Sequence, residues 1–322
     1  MLIEFTLLLM FAFVCELVLQ KYWIAVMHKM KIEQVTKLYG PCWHEKTKMG
    51  TPTMGGIVFI PVILLCLPLF MTFAPDFSWE AAGRIISYPV LAAAVGFIDD
   101  WLKHTRRSSD GLTSLQKLGL QILVTVPWAV WVSVPPYMIV PGFELPRILY
   151  ILCVVFVGVG LQNAVNVTDG LDGLAAGCTL ISLIAALSFI ECGPLMMLVI
   201  SASCGVCLAF LWHNANPASV FMGDVGAHFF AGLLLSICIN SGVFVFVIPL
   251  GFFFGVEIFS VAVQIIAIRR FHRKVFKMSP IHHHFEMSGW KETEIVTRFW
   301  IIHILGICML MSCLFYFTLR DF

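Results

Sequence analysis

The 322-residue sequence carries little charge, because only 12% of its residues are Asp, Glu, Lys or Arg while 60% are apolar. Soluble domains carry about a quarter charged residues, so a soluble protein is excluded. Disordered chains combine few apolar residues with high net charge, so disorder is excluded as well. The net charge of +1 gives no basic field for nucleic acid. We therefore predict an integral membrane protein with no nucleic-acid partner.

The sequence also lacks a polar region large enough for a soluble domain and any repeat of fixed period. Its first apolar run, residues 2–19, has no basic segment before it and no small-residue cleavage site after it. We expect a retained first span rather than a signal peptide. A single membrane domain covering residues 1–322 follows.

The 11 cysteines do not indicate disulfides, because ten of them lie in or beside apolar runs. There a free thiol behaves as a small hydrophobic group. Cys204 and Cys207 form a C-x-x-C pair with no second pair and no strand pattern nearby, which favours a packed helix face.

Ten apolar segments are candidates to cross the bilayer, whose hydrocarbon core of about 30 Å requires about 20 apolar residues per helix. They cover residues 2–24, 53–73, 84–101, 114–132, 147–163, 174–191, 195–212, 226–240, 243–268 and 296–318. We predict an all-α polytopic membrane bundle of about ten transmembrane helices.

Basic residues predict the orientation, because cytoplasmic connections carry an excess of Lys and Arg. The connections after the first, third and ninth segments hold most of them: Lys29, Lys31, Lys37, Lys46, Lys48, Lys103, Arg106, Arg107, Lys117, Arg269, Arg270, Arg273, Lys274, Lys277, Lys291 and Arg298. The opposite side holds Arg84, Arg147 and Arg320. These connections are then cytoplasmic, and both termini lie outside.

Acidic residues mark the cytoplasmic span ends at three places: Asp99 with Asp100, Asp169 with Asp172, and Asp224. Ionisable groups near hydrocarbon are costly and are usually functional or paired. They could simply mark the membrane interface, but three clusters on one face favour a site.

Asp99, Asp100 and Lys103 can share one face of a helix. Adjacent carboxylates repel unless a cation or a proton lies between them. Mg²⁺ prefers carboxylates together with phosphate oxygens and water, and it suits this arrangement. Asp224 precedes the eighth span, where it could cap a helix or supply a third carboxylate to the same cation.

Two glycine-bearing segments, residues 48–56 and 163–173, could bring main-chain N–H groups close to phosphate. The first does not match the P-loop pattern, and the second could hold a base instead of phosphate. His282, His283 and His284 resemble a zinc site, but consecutive helical side chains point about 100° apart and zinc ligands are usually spaced by two to four residues. We favour hydrogen bonding to phosphate over metal ligation.

One face with carboxylates, lysines, histidines and glycine turns fits phosphoryl transfer, which depends on positioning and charge stabilisation. Because this face lies at the membrane surface, it suggests one water-soluble substrate and one lipid-borne substrate. A transporter is the alternative, but it would place carboxylates near the bilayer midplane and show inverted repeats. Here the acids gather at one interface, with Glu16 and Glu257 as partial exceptions.

Five motifs together resemble the phospho-N-acetylmuramoyl-pentapeptide-transferase family, within the polyprenyl-phosphate N-acetylhexosamine-1-phosphate transferases. They are Gly-Thr-Pro-Thr-Met-Gly-Gly, Asp-Asp-Trp-Leu-Lys, Asn-Val-Thr-Asp-Gly-Leu-Asp-Gly, Phe-Met-Gly-Asp and Pro-Ile-His-His-His-Phe-Glu, in family order. The resemblance covers essentially the whole chain. The histidine motif distinguishes this family from related transferases of N-acetylglucosamine-1-phosphate, which are the alternative reading.

The resemblance implies transfer of phospho-MurNAc-pentapeptide from its UDP carrier to undecaprenyl phosphate, giving lipid I and UMP. It further implies a Mg²⁺ requirement, a homodimer, and a place in the bacterial cytoplasmic membrane with the active site on the cytoplasmic side. Attack could proceed in one step or through an aspartyl-phosphate, and a dianionic lipid phosphate would need no base.

The resemblance also implies residue roles. Asp224 is the expected Mg²⁺ ligand, Asp99 the base and Asp100 a partner of the metal or diphosphate. Lys117 and Asn166 are expected to contact phosphate or stabilise the site, and His282, His283 and His284 to contact the sugar-phosphate end. The uracil is expected against Gly170, Leu171, Asp172 and Phe221, with Lys48, Thr53 and Asn214 nearby. Asn163, Asp169 and Gln264 are further expected site residues. Residues 39–44 depart from the plainer basic stretch expected there, without touching the motifs.

Overall fold

The computed structural model describes residues 2–32, 50–140 and 142–318. The long helices in chain order are α1 (Leu2–Met30), α4 (Trp79–Arg106), α5 (Ser114–Val132), α6 (Arg147–Thr168), α7 (Leu174–Phe189), α8 (Pro194–Asn214), α9 (Gly223–Asn240), α11 (Phe252–Phe271) and α13 (Glu292–Thr318). The shorter ones are α2 (Phe59–Leu65), α3 (Leu67–Phe73), α10 (Val247–Leu250) and α12 (Ile281–Glu286), with 3₁₀ turns at Gly55–Val58 and Phe244–Phe246.

Strands are nearly absent from the described residues. Met138–Val140 (β1) pairs antiparallel with Phe143–Glu144 (β2) in the connection between α5 and α6. The remaining described elements are helical, so the predicted all-α membrane bundle is confirmed.

Nine stretches of the described residues are long and apolar enough to cross a membrane, counting Gly55–Phe73 as one. The tenth predicted span is α7, which is apolar but has only 16 residues. At 1.5 Å per residue it is roughly 24 Å long, shorter than the hydrocarbon core. The ten predicted segments therefore all correspond to helices, and one of these is short.

Several helices begin or end at residues other than those predicted, and two of these differences affect the site. The fifth predicted span ended at residue 163, but α6 continues to Thr168 and carries Asn163 and Asn166 on a helix. The eighth began at residue 226, whereas α9 begins at Gly223 and includes Asp224 in its first turn. Asn163, Asn166 and Asp224 thus lie on helices rather than in loops.

Helices α8 and α9 lie at the centre of the bundle. Of the residues in their spans 78% and 83% are buried, against 17% for α1. Helix α9 packs along α4, and α1 packs against α8. Helices α1 and α8 approach closely at Gly205, where a Cβ atom would overlap the carbonyl of Leu9. The central position of α9 fixes where Asp224 lies.

Buried polar groups join the helices elsewhere. His303 of α13 is fully buried, with Nδ1 accepting the N–H of Phe253 at 3.3 Å and Nε2 3.1 Å from the carbonyl of Cys178. The ten cysteines of the described residues are all free, which confirms that none of them forms a disulfide. Cys204 and Cys207 are buried on α8, as predicted for a packed helix face.

Candidate active site

Three aspartates from two helices form the centre of the site. Asp99 and Asp100 lie near the C-terminal end of α4, and Asp224 lies in the first turn of α9. Their carboxylates offer oxygen atoms that lie within 4.8 Å of one another. Asp99 and Asp100 are buried, whereas 14% of the Asp224 side chain remains exposed. The structure thus brings the end of α4 to the start of α9, where the contacting residues Asp100 and Val225 stand 125 residues apart in sequence.

The two helices approach closely because Gly96 has no side chain. A Cβ atom on Gly96 would overlap the main-chain carbonyl of Asp224. Asp100 Oδ2 accepts a hydrogen bond from the N–H of Val225 at 3.1 Å. Asp100 therefore satisfies one of the N–H groups that a helix start leaves without intrahelical partners, and the Asp224 carboxylate is left for other contacts.

Two lysines offset part of the negative charge of the three carboxylates. Lys103 Nζ lies 2.6 Å from Asp99 Oδ2, 3.0 Å from Asp224 Oδ2 and 3.4 Å from Asp100 Oδ1. Lys117 Nζ of α5 donates to Asp224 Oδ2 at 2.7 Å. The sequence predicted that Lys103 shares a face with Asp99 and Asp100, but its contact with Asp224 depends on helix packing.

The remaining oxygens of the cluster also have partners. Asp99 Oδ1 accepts the N–H of Leu112 at 2.7 Å, and Asp224 Oδ1 accepts Nδ2 of Asn166 at 2.7 Å. Asn163, one turn earlier on α6, donates instead to Gln121 Oε1 at 3.1 Å. Asn166 thus contacts the cluster directly, whereas Asn163 contacts α5.

The segment after α6, residues 169–173, is held from two sides. Asp172 Oδ2 accepts Nδ2 of Asn216 and the N–H of Ala218, both at 3.0 Å, and the N–H of Asp172 donates to Glu292 Oε1 at 2.7 Å. Asn214 Oδ1 accepts the N–H of Gly173 at 3.0 Å. Asp172 and Asn214, both expected at the uracil, therefore shape the site by joining its loops.

The Gly-Thr-Pro-Thr-Met-Gly-Gly motif, residues 50–56, pairs with the chain just before Asp224. The N–H of Gly55 donates to Phe221 O at 2.9 Å, and the N–H of Phe221 donates to Pro52 O at 2.8 Å. A Cβ atom on Gly56 would overlap the backbone of Gly226. This places Thr53 and Phe221 in adjoining segments at the start of α9. Lys48 lies outside the described residues.

The three consecutive histidines of α12 point in three directions. His282 is buried, with Nδ1 3.1 Å from Glu257 Oε1. His283 Nδ1 lies 2.6 Å from Glu286 Oε2, and His284 Nδ1 accepts the N–H of Lys277 at 3.1 Å. Each of the three rings thus contacts a different part of the protein, and hydrogen bonding to phosphate stays a prediction.

Gln264, a predicted site residue, binds the chain that leads into the histidine motif. Its Oε1 accepts the N–H groups of Val275 and Phe276 at 3.0 Å each, and Nε2 donates to Phe276 O at 3.0 Å. It therefore holds residues 275–276 in place.

Two acidic residues, Glu257 and Glu292, were not predicted as site residues. Glu257 carried one signal, since it is an ionisable residue within an apolar run. Glu292 had no such feature in the sequence, because its contact is with Asp172, which lies 120 residues away.

The cluster fits a hard divalent cation. Asp99, Asp100 and Asp224 form the group of potential metal ligands found among the described residues. Carboxylate oxygens are the protein ligands that Mg²⁺ prefers, together with phosphate oxygens. The partly exposed Asp224 is the member that an arriving cation could reach.

Comparisons with known proteins bear on the chain as a whole. The Glycosyl transferase family 4 model matches residues 84–242, which include the three aspartates. The phospho-N-acetylmuramoyl-pentapeptide-transferase of Dictyoglomus turgidum is 38% identical over 298 residues, covering 91% of this chain and 93% of its own length. Proteins of the same name from Rubrobacter xylanophilus and Staphylococcus carnosus are 36% and 34% identical, over 90% and 91% of this chain and 91% and 94% of their own lengths.

These relatives match the chain nearly from end to end. In this chain the three aspartates and the two lysines meet at helix ends in a bundle whose described residues include nine candidate membrane spans. The chain belongs to the phospho-N-acetylmuramoyl-pentapeptide-transferase family and is a membrane transferase.

Proposed function

We propose that the protein transfers phospho-MurNAc-pentapeptide from UDP-MurNAc-pentapeptide to undecaprenyl phosphate, yielding lipid I and UMP for peptidoglycan synthesis. The main support is the cluster of Asp99, Asp100 and Asp224 at the ends of membrane helices. Lys103 and Lys117 contact these carboxylates. Positioned charges of this kind are what phosphoryl transfer requires. The names of the relatives support the same reaction.

Asp224 and Asp100 would hold Mg²⁺ in this proposal. When bound, the cation neutralises diphosphate charge and stabilises the leaving oxygen. Lys117 and Asn166 both contact Asp224, which orients its carboxylate and leaves cationic and amide donors beside the phosphates.

Asp99 is the proposed base for the lipid phosphate. Its Oδ1 is fixed by the N–H of Leu112, which directs Oδ2 toward Lys103 and the interior of the cluster. A monoprotonated lipid phosphate would pass its proton to this oxygen while its own oxygen attacks the sugar-linked phosphorus and the phosphate of UMP departs.

The donor would lie along the loops that converge on α9. The uracil end is assigned to Gly170, Leu171, Asp172 and Phe221, with Lys48, Thr53 and Asn214 nearby, and Asp169 is a further substrate-binding residue. The sugar-phosphate end is assigned to His282, His283 and His284, with Asn163 and Gln264 supporting the adjoining helices through their own contacts.

The proposed setting is the bacterial cytoplasmic membrane, with this site on the cytoplasmic side and both termini outside. The basic residues around the site support this orientation. Lys103 near the C-terminal end of α4 and Lys117 near the start of α5 flank one predicted cytoplasmic connection, and Lys277 lies in the one after α11. The expected assembly is a homodimer, which crosslinking in native membranes would test.

Purified protein with Mg²⁺, undecaprenyl phosphate and UDP-MurNAc-pentapeptide should release UMP in proportion to lipid I. Replacing the donor by UDP-N-acetylglucosamine tests the related transferase, since both readings use every aspartate. Release with UDP-N-acetylglucosamine alone would establish the related activity instead. Ion-coupled uptake into vesicles without UMP release would establish a transporter.

A further inference from the structure

Four helices are joined by buried hydrogen bonds within their candidate membrane spans. Tyr88 of α4 and Thr125 of α5 are both 0% exposed, and their hydroxyl oxygens lie 3.1 Å apart. Gln162 of α6 donates from Nε2 to the Tyr88 hydroxyl at 2.9 Å. Ser236 of α9 donates to the carbonyl of Ile85 on α4 at 2.7 Å. We call Tyr88, Thr125, Gln162 and Ser236 the inner tier.

The Tyr88 hydroxyl is the junction of this tier. Thr125 has one hydroxyl proton, which it donates to Gln121 O at 2.6 Å, so it accepts from Tyr88. Tyr88 therefore donates to α5 and accepts from Gln162 of α6. Its ring stacks on Trp128 of α5, with centroids 4.3 Å apart. One hydroxyl thus links α4 to both of its polar neighbours.

The same four helices meet again at the aspartate cluster. Lys117 of α5 and Asn166 of α6 both contact Asp224 of α9. Thr125 lies two turns after Lys117 on α5, and Gln162 lies one turn before Asn166 on α6. Because residues four apart share a helix face, the inner tier and the cluster lie on the same faces of these two helices.

A helix carries a displacement at one level to the other. Lys117 is about 12 Å from Thr125 along α5, and Asn166 about 6 Å from Gln162 along α6. No proline interrupts either stretch. A shift of α5 or α6 at the inner tier therefore moves a side chain that contacts Asp224, and a misplacement of about 1 Å can slow a reaction about 100-fold.

The inner tier is not fully satisfied. Gln162 Oε1 and Gln121 Nε2 are buried and have no hydrogen-bond partner among the described residues. Unpaired buried polar atoms are costly, and apolar side chains of the same shape are often equally stable or more stable. This cost favours alignment of the helices, rather than stability, as the use of the network.

We propose that Tyr88 is a positioning residue, which sets the alignment of α5 and α6 through its bonds to Thr125 and Gln162. In this alignment the polar side chains of both helices reach Asp224. Tyr88 lies about 16 Å from Asp99 along α4, so it acts through the helices and not on a substrate. That the alignment serves phosphosugar transfer rests on the proposed function.

Two variants separate alignment from stability. Tyr88→Phe keeps the ring on Trp128 but removes the hydroxyl, so it should lower the melting temperature and reduce UMP release about tenfold. The triple variant Tyr88→Phe/Thr125→Val/Gln162→Leu makes the whole junction apolar. Its melting temperature should return to the wild-type value or exceed it, while UMP release stays about tenfold below wild type.

Tyr150→Phe is the matched control. Tyr150 is also a buried tyrosine of this bundle, but its ring lies against Tyr137 and Phe244. It is about 18 Å from Gln162 along α6. UMP release by Tyr150→Phe should equal that of the wild type.

Amine labelling followed by mass spectrometry tests the alignment without turnover. If Lys117 no longer reaches Asp224, its amine should react at least about threefold faster in both Tyr88 variants, because a charge-assisted hydrogen bond is lost. Lys277, whose Nζ donates to Met287 O at 3.2 Å, is the internal reference and should react at an unchanged rate.

Wild-type turnover and labelling in the triple variant would overturn the proposal, because apolar packing alone would then align the helices. Slow turnover with unchanged Lys117 labelling would overturn it too, since Tyr88 would act without moving this side chain. If one of the two variants does not fold, the other decides the question. A wild-type protein that releases no UMP would refute the proposed function, but the labelling comparison would still decide the role of Tyr88.

Discussion

Lys103 and Asp99 stand one helical turn apart on α4, and Lys103 Nζ lies 2.6 Å from Asp99 Oδ2. The same ammonium reaches Asp224 at 3.0 Å. One residue therefore joins a contact within its helix to a contact between helices, and it sets the charge balance of the site.

Asp224→Asn should reduce UMP release by about 100-fold or more, because it removes a charge that the reaction centre requires. The amide can still accept from Lys117 at one oxygen, so the protein should remain folded. UMP release and Mn²⁺ binding by electron paramagnetic resonance are the measurements. Asp110→Asn, at an exposed position on the connection between α4 and α5, is the control and should leave both unchanged. Retained Mn²⁺ affinity in Asp224→Asn would refute its role as a ligand.

Lys103→Met should bind Mn²⁺ at least about tenfold more tightly than the wild type, because a cation no longer meets a neighbouring ammonium. Turnover should fall, since the diphosphate loses a positive partner. The same titration should show no change for Lys277→Met, whose ammonium donates to Met287 O away from the cluster. Weaker Mn²⁺ binding in Lys103→Met would contradict the assigned charge balance.

Gly96→Ala should lower both thermal stability and activity, because the new methyl group would overlap the carbonyl of Asp224 and force α4 away from α9. A cost of about 1–3 kcal/mol is expected for overpacking of this kind. Gly119→Ala on α5 is the matched control, as no atom lies within 4 Å of its Cβ position. Equal behaviour of the two variants in thermal unfolding would show that the close approach of α4 and α9 is unimportant.

Gln264→Leu should impair activity by releasing residues 275–276 from α11, because three hydrogen bonds are lost. Gln264→Glu keeps the acceptor for both N–H groups and loses only the bond to Phe276 O, so it should retain more activity. Proteolysis between α11 and α12 should be faster in Gln264→Leu. If both variants are equally inactive yet equally resistant to protease, Gln264 instead acts on substrate directly.

The helices were predictable because a helix that crosses the bilayer needs a long apolar run, which is visible in the sequence. All ten segments became helices, and the clusters at Asp99, Asp100 and Asp224 were recognised because charge is scarce. Helix ends were less predictable. Helix α6 continues through Asn166, although the apolar pattern that marks the span in the sequence stops before this polar residue. Because α6 extends this far, Asn166 donates to Asp224, whereas Asn163 donates to Gln121.

Contacts over long separations were the part that sequence patterns could not supply. Asp172 and Asn214 were expected at the uracil from their motifs, but their bonds to neighbouring loops depend on how α6, α8 and α9 come together. Glu292 reaches Asp172 across 120 residues, and no local pattern encodes such a distance. The resemblance located the motifs, and packing determined which of their atoms meet.

The pairing of Lys103 with Asp99 also bears on how the protein is made. Asp99 and Lys103 enter the membrane on one helix and can neutralise each other as soon as that helix forms. Asp224 and its helix are synthesised more than 100 residues later, as the chain order dictates. The Lys103–Asp99 ion pair therefore needs only the residues of α4, whereas the contact of Lys103 with Asp224 requires α9 to be in place.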